Sequence, residues 1–102
     1  MRKAVEELLC TVAEQLGPIQ SGSEWYLFGS VERNAPIAFD IDLLILCHSN
    51  EQADNLRRAI DHDEFPLPLD LSLMTFSEAA QVDAVRSQNA RLIHPRRNEP
   101  TA

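Results

Sequence analysis

The stretch FDIDLLILC, residues 39–47, limits the possible folds more than any other part of the chain. Its apolar run is too short to span a membrane and reads as a buried strand. Asp40 and Asp42 interrupt it. Side chains alternate along a strand, so these two share one face while Ile41 points to the other. The two carboxylates would then stand about 7 Å apart on that face. Burying both without a partner costs several kcal/mol. Packing gives no reason for them, whereas a divalent cation would attract both.

The rest of the chain supplies neighbours for that strand. Val5, Leu8, Leu9, Val12 and Leu16 follow helical spacing, and Gly17-Pro18 stops the helix. EWYLF (24–28) reads as a short strand, and GSVERNAPIA (29–38) as the loop joining it to 39–47. A helix is predicted over 49–61, with Ser49 or Asn50 as N-cap and Ala53, Leu56 and Ile60 facing inward. LDLSLM (69–74) alternates as a third strand. Thr75 and Glu78 have the spacing of a capping box ahead of a helix over 76–88. RLI (91–93) would add a short edge strand. This order predicts an α+β (α/β) fold, a mixed sheet with helices packed on one face. One domain over 1–94 accounts for all of these elements, and the polar segment 95–102 is expected to be a flexible C-terminal tail.

Composition narrows the function classes. The 102 residues suffice for one small domain. A formal charge of −7 disfavours nonspecific nucleic-acid binding, which needs a basic surface. It leaves room for a nucleotide, because a bound divalent metal bridges carboxylates to phosphate. Cys10 and Cys47 lie far apart in apolar segments and read as buried, reduced thiols rather than a zinc pattern. The N-terminus, MRKAVEELLC, has two acidic residues where a signal peptide is apolar. The expectation is a cytoplasmic protein with no membrane partner.

Asp70, in PLDLSLM, repeats the anomaly of an acid inside an apolar strand. If 39–47 and 69–74 are neighbours, three carboxylates converge. Such a cradle suits two divalent ions about 3.5–4 Å apart, which clamp the attacking and leaving oxygens of a phosphoryl displacement. A lone DxD is most often a solvated strand end. An EF-hand does not fit, since Leu44 and Ile45 occupy the positions that need an oxygen ligand and a glycine. Gly29-Ser30 follows an apolar strand. Glycine lets backbone approach a phosphate, and serine offers a hydroxyl and an N–H. Arg33 has the geometry to pair with phosphate through two donors, although a surface arginine is the commoner outcome.

Taken together, FGSVERN and FDIDLLIL resemble the signature of the polymerase-β-like nucleotidyltransferase superfamily: a GS motif, a DxD, and a third acid on a later strand. The match is to its minimal nucleotidyltransferases, including the antitoxin partners of HEPN-domain toxins. It covers about residues 4–93, with Gly29, Ser30, Arg33, Asp40, Asp42, Leu43 and Asp70 on motif positions. The resemblance implies catalytic, metal-holding roles for Asp40, Asp42 and Asp70. It implies nucleotide binding by Gly29, Ser30 and Arg33. It further implies two Mg²⁺ ions (Mn²⁺ as a substitute), ATP or another nucleoside triphosphate as substrate, and transfer of a nucleoside monophosphate to a hydroxyl. The implied acceptor is a partner protein of HEPN type, and the missing wall of the site would come from that partner or from a second copy of the chain. The chain departs from the signature at Val31, Asn34 and Phe39. Those departures keep a second reading open, a binding module of this fold that neutralises a partner by contact alone.

Overall fold

The computed structural model describes residues 1–96. The tail expected over 95–102 therefore falls, from 97 on, outside the described residues. Helix α1 (Arg2–Leu16) places Val5, Leu9, Val12 and Ala13 on its buried side, and ends where Gly17 takes a positive φ and opens a 3₁₀ turn (Gly17–Gln20) with Pro18 in its first positions. Strand β1 (Glu24–Phe28) follows. The segment read as a loop opens with one helical turn, α2 (Gly29–Glu32), anchored by the buried Val31. Strand β2 spans Ile41–Cys47 rather than 39–47, so Asp40 stands just before the strand and Phe39 is 80% exposed. Helix α3 (Asn50–Ala59) starts at Ser49, whose side chain accepts the Gln52 N–H at 3.1 Å.

Strand β3 (Leu69–Thr75) runs parallel to β2, and β1 runs antiparallel to it on the other side. The expected capping box is present: Thr75 Oγ1 accepts the Glu78 N–H, and Glu78 accepts the Thr75 N–H. The helix it starts is broken in two by Asp83, which is left-handed at φ 51°, giving α4 (Phe76–Val82) and α5 (Ala84–Ser87). Strand β4 (Arg91–His94) pairs with the free side of β1. The result is a mixed α+β fold with sheet order β3-β2-β1-β4.

The helices do not all share a face. Ile41, Leu43, Ile45 and Cys47 pack with α1, α2 and α3, together with Trp25 and Leu27. Leu44 and Leu46 point the other way, to Ala79 of α4, Ala84 of α5, and Tyr26 and Phe28. Coverage on both sides is why β2 is apolar without alternation. Arg91 on β4 ties the first face together, donating to Glu6 of α1 at 2.8 Å and Glu32 of α2 at 3.3 Å. The buried Trp25 indole donates to Ser23 Oγ at 3.0 Å, and that hydroxyl donates to the Gln20 carbonyl. Both cysteines are buried and unpaired with each other. No helix among the described residues is long and apolar enough to cross a membrane.

Candidate metal centre

The register of β2 against β3 decides the site. Asp42 is the direct partner of Asp70 across the parallel pair. Neighbouring strands are about 4.8 Å apart, and partners in register project on the same face. Asp40, in the connection entering β2, turns toward the same spot. One oxygen from each of Asp40, Asp42 and Asp70 lies within 4.8 Å of the other two. Asp70 is exposed, and Asp40 and Asp42 are half-buried. The three acids thus converge as expected, although strand alternation places only Asp42 and Asp70; Asp40 arrives from a loop.

Gly29 sits at the end of β1, where Phe28 is the register partner of Asp42. Its φ is 75°, and a Cβ built there would run into the Asp42 carboxylate. Glycine is therefore required twice, by backbone conformation and by the space the acid occupies. The sequence suggested a phosphate-facing role for Gly29; the structure adds that it makes room for an acid. Ser30 lies in the first turn of α2, and the Arg33 N–H closes that turn on the Gly29 carbonyl at 3.1 Å. Arg33 is exposed, and its charge reaches Asp42. Asn34 takes the left-handed conformation at φ 54°.

The electrostatics report crowding. Burial, then the charge of Asp40, then the charge of Asp70 push the Asp42 carboxyl from its ordinary 3.8 up to about 6. A hydrogen bond shared with Asp70 adds to the rise, and Arg33 only partly offsets it. The cluster is short of positive charge. Hard divalent cations take carboxylate oxygens as ligands, and two oxygens on one Mg²⁺ are at most about 4.2 Å apart, twice its bond length. A spread within 4.8 Å needs only a small closing movement to match that. The donor set, all carboxylate, suits Mg²⁺ or Mn²⁺ rather than zinc.

Sequence reading missed the surface beside the acids. Phe28, Leu44, Ser72 and Met74 continue the same sheet face and line a cavity of about 230 Å³ under α4 and α5. The alternation of β3 carries that signal, since Asp70, Ser72 and Met74 share one parity. A larger groove of about 490 Å³ lies at the far end of β1, around Gly17–Gln20 and His94, and includes none of the three acids. Chemistry, not size, points to the acid cluster. No family model and no curated protein matches the chain.

Proposed function

We propose that the protein is a metal-dependent nucleotidyltransferase, transferring a nucleoside monophosphate, with AMP from ATP as first candidate, to a hydroxyl acceptor. The observation that carries this reading is the convergence of Asp40, Asp42 and Asp70 beside the Gly29-Ser30 turn. The same set of residues underlies its resemblance to the minimal nucleotidyltransferases. Asp40 and Asp42 would hold Mg²⁺, and Asp70, the most exposed of the three acids, would complete the ligand set. When bound, the ions neutralise phosphate charge and lower the cost of ionising the attacking hydroxyl. Ser30 and the backbone of its turn orient the triphosphate, with Arg33 placed to pair with phosphate oxygens. The acceptor oxygen bonds to the α-phosphorus, the bond from that phosphorus to the bridging oxygen breaks, and pyrophosphate leaves with the electron pair. The hydroxyl proton passes to Asp70 or to water. Positioning and charge account for the rate, with no covalent enzyme intermediate. A HEPN-type toxin is the proposed acceptor and the cytoplasm the proposed location, in keeping with two unpaired, buried cysteines.

A second reading has an observation of its own. Ile37 and Phe39 are 69% and 80% exposed in the connection that leads into Asp40. Apolar side chains displayed there suit contact with a protein, so neutralisation by binding alone is the alternative. One experiment separates the two. The protein, with the product of its neighbouring reading frame, is incubated with Mg²⁺ and ATP labelled at the α or the γ position. Retention of the α label alone, abolished by Asp70→Ala, supports transfer. Tight binding with no label from any nucleoside triphosphate, with either Mg²⁺ or Mn²⁺, supports the contact reading.

A further inference from the structure

The two edges of the sheet are not alike. β4 is short, meets β1 with a register irregularity, and carries Arg91 and His94. These are the usual defences of an edge. β3 is seven residues long, pairs with β2 in unbroken register, has no lysine, proline or glycine, and carries one charge, Asp70. No described strand lies on its outer side.

The hydrogen-bond phase shows what that side offers. The Ile41 N–H donates to the Pro68 carbonyl at 2.8 Å. Parallel pairing from that point uses the N–H and C=O groups of Asp70, Ser72 and Met74 on β2. Those of Leu69, Leu71 and Leu73 therefore face outward. The Thr75 N–H is taken by Glu78, so the usable edge ends there. The side chains of Leu71 and Leu73 are only half-buried against the core.

We propose that a second copy of this chain pairs with β3, strand to antiparallel strand, about a twofold axis at Ser72. The segment LDLSLMT favours this register. Leu71 meets the partner's Leu73 and exchanges both backbone hydrogen bonds with it. Leu69 meets the partner's Thr75, and Ser72 meets the partner's Ser72. Asp70 meets the partner's Met74, so no like charges face each other. An axis at Asp70 would set two carboxylates opposite one another, and an axis at Leu71 or Leu73 would shorten the overlap. The twofold makes one continuous sheet with both acid clusters on the same face, each flanked by the partner's Met74. The inference does not depend on the chemistry proposed for the acids.

The test is made in EDTA on the full chain. Sedimentation velocity over a wide concentration range should give a species of about twice 11.5 kDa. Ser72→Cys should cross-link across the axis in oxidised glutathione, two thiols giving up two electrons and two protons as the glutathione is reduced. Opposed residues that are not hydrogen-bonded stand about 4.5 Å apart at Cα, within disulfide range. Ser87→Cys, exposed and off the edge, is the control. Met74→Lys faces Asp70 of the other copy and should tighten the dimer roughly two- to thirtyfold, from two symmetry-related cross-strand ion pairs; Met74→Glu should weaken it comparably. A monomer at every concentration overturns the proposal. So does a dimer in which Ser72→Cys links no better than the control, or in which both Met74 variants shift affinity the same way.

Discussion

Replacing Asp42 by asparagine should stabilise the metal-free protein at neutral pH. The Asp42 carboxyl is pushed from 3.8 up to about 6, first by burial and then by Asp40 and Asp70. Its pKa is higher folded than unfolded, so its contribution to stability is complete below pH 4 and is lost as pH rises through about 6. At pH 7.5 the folded state carries that penalty in full. A rise of this size is worth about 3 kcal/mol in a dry site. Asp42 is only half-buried, and water screening reduces this to ~1–2 kcal/mol. For a domain of about 100 residues, that is a gain of roughly 4–16 °C in Tm for Asp42→Asn. The assay is a set of circular dichroism melts in EDTA between pH 4 and 8, for wild type and variant. The curves should meet near pH 4 and separate with the variant on top as pH rises. Adding Mg²⁺ at pH 7.5 should reverse the order, since an ion bound only to the folded wild type adds about 2.7 kcal/mol at a hundredfold excess over Kd. Parallel pH profiles would show that the acids do not crowd one another, and equal responses to Mg²⁺ would show that Asp42 does not bind the ion.

Two further changes probe the frame of the site. Gly29→Ala forces an L residue to φ 75° and drives its Cβ into Asp42; it should cost at least ~1–2 kcal/mol in urea denaturation and abolish the Mg²⁺-dependent rise in Tm. Retained Mg²⁺ response in a folded Gly29→Ala protein would mean that Asp42 is not a ligand. Thr75→Ala removes the side-chain acceptor of the Glu78 N–H and should cost about 1 kcal/mol, read as a lower urea midpoint at unchanged m value.

The sequence was most informative where a rule of spacing applied directly. Apolar periodicity located α1, α3 and the three longer strands, and the Thr75–Glu78 spacing marked a capping box that the structure contains. It was less informative where tertiary context decided. Nothing local says that Asp83 adopts a left-handed conformation, and that single residue divides the helix expected over 76–88. The side of the sheet that α4 and α5 cover follows from the parity of Leu44 and Leu46, which can be assigned only once β2 is known to be covered on both faces. The acids were recognisable as misfits because carboxylates in apolar strands are costly. Their convergence followed once the two strands were taken as neighbours, but the exact register that sets Asp42 opposite Asp70 across the parallel pair, and the approach of Asp40 from a loop, came only from the structure.

The charge balance of the cluster bears on the proposal that an ion and a triphosphate bind there together. Three aspartates against Arg33 leave the ionised group at −3 + 1 = −2. One divalent ion cancels that excess and leaves nothing over for a polyphosphate. A second ion adds two positive charges that the protein does not need and that a triphosphate does. On the proposed reading, binding of a second ion would be favoured by the nucleotide and disfavoured without it, coupling the two where Asp70 stays open to solvent.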